Sequence, residues 1–210
     1  GEAPSQRFRF EQYIDELSSE ELSIEIHPFL NDKTWNKLYN KGSFFGKAFG
    51  ISGSFWRRFI LLFRLIKADY IFIHREASMI GPPIFEWFIA KVLRKKYIFD
   101  FDDAIWLPNY SETNAKFHRL KAYWKTKWII KWANTVTAGN DYLKNYAMDY
   151  NRNVQIIPTT LDLVKVHNLQ TDYNTEKINI GWTGTHTTMH YLDEIVPILQ
   201  SLEKDYSFTF

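Results

Sequence analysis

The chain has 210 residues, of which 45% are hydrophobic and 18% aromatic, and its 26 lysines and arginines nearly balance 24 aspartates and glutamates. A chain of this length and apolar content can bury a sizeable core, and a formal net charge of +2 is too small to indicate nucleic-acid binding by itself. Cysteine is absent, which excludes disulfide scaffolds, thiolate metal sites and cysteine nucleophiles. The strongly apolar segments, such as FILLF at 59–63, fall far below the roughly 20 residues that a membrane-spanning helix needs.

Hydrophobic periodicity predicts an alternation of helices and strands. In chain order the predicted elements are a helix at 5–17, a strand at 23–27, an irregular excursion at 28–53, a helix at 55–66, a strand at 70–74, a helix at 81–93, a strand at 97–101, a helix at 116–133, a strand at 135–138, a helix at 140–150, a strand at 154–157, a strand at 178–182, a helix at 189–202 and a strand at 207–210. No hairpin signal separates the strands, so we expect an α/β fold with a Rossmann-like parallel sheet and helices on both faces. A polar linker at 161–176 divides an N-terminal domain at 1–160 from the start of a second Rossmann-like domain at 177–210.

Polar residues cluster where the predicted strands end. In an open parallel sheet, ligands bind outside the carboxyl ends of the strands, because loops and helix N-termini converge there. Four segments fall at such places: Gly1 to Ser5, His74-Arg75-Glu76, Asp102-Asp103 and Gly139-Asn140. Each segment also has a purely structural interpretation, as a turn, a cap or a surface ion pair. Their convergence on one edge predicts a ligand site there.

The acidic stretch YIFDFDDAIW at 97–106 is compatible with three chemistries. Asp100 and Asp102 match the spaced aspartates of haloacid dehalogenase-like phosphatases, although Ala104 stands where that chemistry needs a small β-branched residue. The same two residues match the DxD signature of metal-dependent GT-A glycosyltransferases, in which carboxylates bridge a divalent ion to a diphosphate. The third interpretation is a polar crevice for a sugar, with Asp100 structural and Asp102 and Asp103 facing the ligand.

Seven motifs occur in a fixed order along nearly the whole chain. They are GEAPSQRFRFEQY at 1–13, IHREAS and GPP between 73 and 83, FDFDDAIWLP at 99–108, AGNDYL at 138–143, IIPTTLD at 156–162 and IGWTGTHTT at 180–188. Together they resemble the GT-B type, group 1 retaining glycosyltransferases, in particular a bacterial subgroup of cell-surface polysaccharide synthesis. Members of this family have two Rossmann-like domains facing a cleft, with the acceptor bound mainly by the N-terminal domain and a nucleotide-sugar by the C-terminal one.

The resemblance implies an activity and a set of site residues. The implied enzyme is a cytoplasmic hexosyltransferase that moves a sugar with retention to a glycan or lipid-linked acceptor and requires no cofactor or metal. Asp102 and Asp103 fall where many members have a histidine and an aspartate near the reacting sugar, and they are assigned to catalysis through sugar or acceptor contacts. Substrate binding is assigned to Gly1, Ser5, Arg7, His74, Arg75, Glu76, Asn140, Gly181, Gly184 and Thr185. Either Arg7 or Arg9 can add positive charge for a diphosphate.

Two amphipathic segments raise the question of a membrane surface. The predicted helix at 116–133 carries an apolar stripe among lysines, formed by Phe117, Leu120, Trp124, Trp128 and Trp132. We expect the stripe to pack on the sheet, the alternative being contact with an anionic bilayer that holds a lipid-linked acceptor. The arginine-containing segment at 55–67 carries the same two interpretations.

The resemblance also indicates that parts of the family fold are missing from this sequence. The strand that the family has before a GEAPS-like loop is not present, and neither is a pair of glutamates seven residues apart in the donor domain. We therefore expect the chain to be truncated at both ends and inactive alone. The alternative function is a non-catalytic α/β module that binds a nucleotide or a glycan.

Overall fold

The computed structural model describes residues 4–18, 22–39, 44–108, 118–163, 178–184 and 188–210. Among these residues the chain divides into two compact units, the first ending at Leu161 and the second beginning at Asp162. Both units contain parallel strands and helices, so the chain is α/β as predicted.

The elements alternate along the chain. The α-helices are α1 (Pro4–Arg9), α2 (Ile14–Leu17), α3 (Asp32–Tyr39), α4 (Phe44–Arg64), α5 (Ile84–Trp87), α6 (Lys125–Trp132), α7 (Asp141–Met148) and α8 (Leu192–Leu202). The strands are β1 (Ile71–His74), β2 (Tyr97–Phe101), β3 (Thr135–Ala138), β4 (Val154–Ile156), β5 (Ile178–Asn179) and β6 (Phe208–Thr209). Short 3-10 turns lie at Glu11–Tyr13, Leu65–Lys67, His118–Lys121 and Met189–Tyr191, and a π-helical turn at Phe88–Val92 continues α5.

The first unit is built on a parallel sheet in the order β1-β2-β3-β4. The register aligns three polar residues near the carboxyl ends, because His74 pairs with Asp100 and Asp100 pairs with Thr137. Since the strands run in the same direction, the loops that follow them lie at one edge of the sheet. The predictions of β2 and β3 are confirmed to the residue, and those of β1 and β4 differ by one residue at one end.

The core lies on both faces of the two central strands. Phe99 and Phe101 in β2 and Val136 in β3 are fully buried. Asp100, whose side chain points to the opposite face of β2 from those of Phe99 and Phe101, is buried too. Burial of successive residues in a strand requires cover on both faces of the sheet. The parallel sheet with covered faces is therefore confirmed, whereas its assignment to the GT-B fold stays a prediction.

Helix α6 presents a different face to the core from the one predicted. Ile129 and Ile130 are fully buried, together with Lys125, whereas Trp124 is exposed. Of the three tryptophans in the predicted stripe, only Trp132 packs against the core, so the prediction that the stripe packs on the sheet is wrong. Lys125 lies one turn before Ile129 on the buried face, and its ammonium contacts Glu76 and the carbonyl oxygen of Ser78 in the loop after β1, which compensates for its burial.

The segment 23–53 differs most from its prediction. No strand forms at 23–27, and the predicted irregular excursion contains α3 and the N-terminal part of α4. Glycines inside α4 conceal its helical pattern, and at least one has a packing role. A Cβ added at Gly50 would lie 2.8 Å from Cγ2 of Thr34 in α3, so glycine permits close contact between the two helices.

The second unit contains β5 and β6, which pair in parallel, with α8 between them in the chain. These elements match the predicted strand, helix and strand in order, with β5 and β6 shorter than predicted. Its assignment to a nucleotide-sugar domain and the domain boundaries stay predictions. Among the residues described for either unit, no helix combines the length and the apolar character needed to cross a bilayer.

Candidate functional site

A buried carboxylate lies at the carboxyl edge of the sheet. The side chain of Asp100 is 3% exposed and that of Arg9, which comes from α1, is 1% exposed. Arg9 donates from Nε to Oδ2 of Asp100 at 3.2 Å and from Nη2 to Oδ1, and Thr137 donates from Oγ1 to Oδ1 at 2.6 Å. Burial by itself raises the pKa of Asp100, but hydrogen bonds from His74, Arg9 and Thr137 outweigh it and hold the pKa below its ordinary value. Asp100 is therefore a structural anion, as the alternation of the strand predicts.

His74 connects this carboxylate with the protein surface. Its Nδ1 lies 2.8 Å from Oδ2 of Asp100, and its Nε2 lies 2.8 Å from Oγ of Ser5. The ring of Phe10 packs edge-on against the imidazole, with 5.5 Å between the ring centroids. We call Ser5, Arg9, His74, Asp100 and Thr137 the Asp100 cluster. It brings together Ser5 and His74, which were both predicted as substrate-binding residues.

A second polar cluster contains three predicted site residues. Arg75 donates from Nε to Oδ1 of Asp102 at 3.1 Å and from Nη2 to Oδ2 of Asp103. The side chain of Asp102 is 12% exposed and that of Asp103 is 64% exposed, so the cluster reaches from the sheet edge to the surface. We call Arg75, Asp102 and Asp103 the Arg75 cluster. Two carboxylates and one guanidinium give it a formal charge of −1.

The backbone of Arg75 is held in an uncommon conformation. Its φ is 62°, in the left-handed region that residues with a side chain seldom adopt. Its N–H donates to the carbonyl oxygen of Asp100 at 2.7 Å, which continues the parallel ladder past the end of β1. Such a conformation persists only when the surrounding structure imposes it, and it is enriched at functional sites.

The turn between β3 and α7 packs against the Arg75 cluster. A Cβ added at Gly139 would lie 3.2 Å from Cα of Asp102, so the close approach favours glycine. Asn140 caps α7, because its Oδ1 accepts a hydrogen bond from the backbone N–H of Leu143 at 3.0 Å. This oxygen of Asn140 is therefore engaged within the protein.

Glu76 is engaged by helix α6. Its Oε2 lies 2.7 Å from Nζ of Lys125, which also donates to the carbonyl oxygen of Ser78 at 2.7 Å. Burial raises the pKa of Glu76, and the nearby Lys125 reduces that rise. The pair clamps the loop after β1 to α6. Sequence patterns place Lys125 on a helix but carry no signal that it is buried.

The remaining predicted residues lie outside both clusters. Arg7 is exposed, with its guanidinium 5.6 Å from the ring centroid of Phe8, so Arg9 is the arginine of α1 that enters a cluster. Gly181 and Gly184 lie in the second unit and are exposed. Gly1 and Thr185, also predicted as substrate-binding residues, fall outside the described residues.

The geometry bears on the alternative chemistries of the acidic stretch. Both oxygens of Asp100 accept hydrogen bonds and the side chain is buried, so it has no free lone pair aimed at a phosphoryl group. The phosphatase interpretation requires such a lone pair, and the structure therefore argues against it. Among the residues that the structure describes, no group of three or more histidines, aspartates or glutamates is arranged to hold a metal ion.

Similarity to known proteins gives no further guide to this site. Comparison with models of known protein families finds no match, and comparison with curated proteins finds none either.

Proposed function

We propose that the protein is a retaining glycosyltransferase that moves a hexosyl group from a nucleotide-sugar to a glycan or lipid-linked acceptor. The observation that carries the proposal is the Arg75 cluster at the carboxyl edge of a parallel sheet. Its guanidinium and carboxylates offer hydrogen-bond donors and acceptors side by side, which suits the paired hydroxyls of a sugar ring. The ordered motifs that resemble the bacterial polysaccharide enzymes support the same activity, at the cytoplasmic side of the membrane.

The charge of the cluster favours a neutral ligand in the first unit. A formal charge of −1 repels the phosphates of a nucleotide-sugar and tolerates uncharged hydroxyl groups. The first unit therefore suits the acceptor, and the phosphates of the donor would bind elsewhere. This division agrees with the one that the family resemblance implies.

The side chains of the cluster have separate roles in the proposed reaction. In a retaining transfer the departing phosphate can take the acceptor proton, so the protein supplies position and charge rather than a strong base. The exposed Asp103 accepts a hydrogen bond from an acceptor hydroxyl, and Arg75 holds Asp102 and Asp103 in register. Asp102, which is more buried, orients the guanidinium.

A transfer assay on the full-length gene product tests the proposal. It measures nucleotide release from a panel of UDP-, GDP- and TDP-sugars in the presence of simple glycosides and of polyprenyl-linked sugars. We expect Asp103→Asn to lower kcat/KM for the acceptor by roughly 10- to 100-fold, as loss of a hydrogen bond to a charged group implies. Asp69→Asn is the matched control, because Asp69 precedes β1 at the opposite edge of the sheet and is exposed.

The outcomes separate the assignments. Unchanged turnover and acceptor affinity in Asp103→Asn contradict the role of Asp103. Binding of a nucleotide-sugar or glycan without any transfer contradicts the proposed transferase activity and supports the alternative, a non-catalytic binding module.

A lipid-linked acceptor is supported by an apolar face on α4. Phe49, Trp56 and Phe63 follow one another at seven-residue spacing, which places them on one side of a helix, and all three are exposed. Lys67, an exposed residue four positions after Phe63, adds positive charge at the end of this segment, a combination that suits the surface of an anionic bilayer. We expect liposomes containing phosphatidylglycerol to sediment the protein at low salt, and Trp56→Glu to weaken this. Failure of such liposomes to retain the protein contradicts the membrane contact.

A further inference from the structure

The Asp100 cluster fixes the direction of its hydrogen bonds from the core outwards. An ionised carboxylate has no hydrogen to donate, so every group bonded to Asp100 must be a donor. Arg9 can only donate, and the hydroxyl of Thr137 donates to Oδ1. The hydrogen between Asp100 and His74 therefore belongs to Nδ1 of the imidazole.

This hydrogen determines the state of the other imidazole nitrogen. A neutral histidine that carries its hydrogen on Nδ1 has a lone pair on Nε2. That nitrogen lies 2.8 Å from Oγ of Ser5, so when the imidazole is neutral the serine hydroxyl uses its single hydrogen to donate to His74. Only the lone pairs of Ser5 Oγ then remain for another molecule. Ser5 as a residue is half-buried, so it is not sealed from solvent.

The two clusters share one anchor. His74 directly precedes Arg75, whose N–H is bonded to the carbonyl oxygen of Asp100. Asp100 thus holds the imidazole through its side chain and the start of the following loop through its backbone. A ligand held by the Arg75 cluster lies at the same strand end as the Ser5–His74 pair.

We propose that Asp100 is a positioning residue that, through His74, makes the Ser5 hydroxyl a hydrogen-bond acceptor for the ligand. The pair selects a ligand with a hydroxyl hydrogen at this place and disfavours one with an ether oxygen there. Identification of that ligand as a sugar acceptor rests on the proposed function, whereas the hydrogen-bond relay does not.

The imidazole tautomer provides the first test and needs no ligand. Long-range ¹⁵N–¹H correlation spectra of the full-length protein, labelled with ¹⁵N-histidine, report which ring nitrogen carries the hydrogen. We expect the Nδ1–H tautomer for the signal that disappears in His74→Gln. In Asp100→Asn the ring of His74 should no longer be only in the Nδ1–H tautomer. In the control Thr137→Val, which leaves the contact between His74 and Asp100 in place, it should remain so. An Nε2–H tautomer of His74, or a ring that carries hydrogen on both nitrogens at pH 8, in the unmodified protein overturns the relay.

Ligand discrimination provides the second test. The probes are the methyl glycosides of glucose, galactose, mannose and N-acetylglucosamine, with their singly O-methylated derivatives, and the readout is the Kd from ligand-observed NMR. We expect Ser5→Ala to raise the Kd of the glycoside that binds by about 3- to 10-fold, the loss of one hydrogen bond, and Ser5→Thr to restore it. The derivative that is O-methylated at the hydroxyl bound by Ser5 should bind weakly to the unmodified protein, and its Kd should be the same for Ser5→Ala.

The two tests fail in different ways. Equal Kd values for Ser5→Ala and the unmodified protein overturn the recognition role of Ser5. Absence of binding of every glycoside, with the Nδ1–H tautomer present, contradicts the proposed function and leaves the relay supported.

Discussion

Replacing Arg9 by methionine tests how much the buried ion pair stabilises the fold. The side chains of Arg9 and Asp100 are 1% and 3% exposed, so water does not screen the charge that remains after the substitution. Removing one partner of a buried pair costs roughly 3–5 kcal/mol, because the other charge is left uncompensated. Asp100 keeps hydrogen bonds from His74 and Thr137, which places the expected loss near the lower end, at about 3 kcal/mol. The carbonyl oxygen of Ile157 loses a donor as well.

Urea unfolding of the protein measures this loss through the midpoint and the slope of the transition. The control is Arg7→Met, two residues away on α1, where the exposed side chain should contribute less than about 0.5 kcal/mol. The double variant Arg9→Met/Asp100→Asn should cost less than the sum of the single variants, by about 0.5–3 kcal/mol. A loss below about 1 kcal/mol for Arg9→Met, or strict additivity in the cycle, would refute the reasoning.

The same pair predicts a pH dependence. The pKa of Asp100 is lower in the folded state than its ordinary value of 3.8, so the folded protein prefers the ionised form. The stability that this preference contributes is present above that value and is lost as the pH falls through the folded-state pKa. Arg9→Met should therefore flatten the acid side of the profile of unfolding free energy against pH.

Two further predictions concern the glycines and a buried glutamate. Gly139→Ala should lower the free energy of unfolding by about 1–3 kcal/mol, because the added Cβ would displace the backbone of Asp102. Gly53→Ala should raise the free energy of unfolding by about 0.5–1 kcal/mol, because the added Cβ meets open space and alanine favours the helix α4. Urea unfolding measures both variants, and changes of the same sign would contradict this contrast. Glu86 is fully buried, and burial raises its pKa above the ordinary value of 4.5. The stability that the protonated side chain contributes is fully present below pH 4.5 and is lost as the pH rises through the folded-state pKa. Glu86→Gln should therefore stabilise the protein by about 1 kcal/mol at pH 8 and hardly at all at pH 4.5, and an effect that is independent of pH would contradict this.

The contrast between β2 and α4 explains where sequence patterns succeed. The strand β2 is a short apolar run whose side chains alternate locally, and a local pattern is sufficient to identify it. Helix α4 contains Gly46, Gly50 and Gly53, which resemble turn residues in the sequence. Gly50 is required by contact with Thr34 in another helix, and a contact between distant segments leaves no local signal.

The candidate site shows the same division. From sequence alone, the ends of the strands place His74, Arg75, Asp102 and Asp103 at one edge of a parallel sheet. The pairing of Arg75 with Asp102 and Asp103 occurs with a left-handed backbone at Arg75, which a residue other than glycine does not lead one to expect.

The three aspartates of DFDD illustrate what each level determines. Alternation along β2, a property of the sequence itself, separates Asp100 from Phe99 and Phe101 and assigns it to the other face of the sheet. Its partners are Arg9, His74 and Thr137, which lie 91, 26 and 37 residues away along the chain, and only the tertiary structure brings them to Asp100. Side-chain direction repeats every second residue and is encoded locally, whereas an ion pair depends on the register between strands and on the path of a distant helix. The sequence therefore determines which face of the sheet Asp100 lies on, and the fold decides that it is buried, paired and able to orient His74.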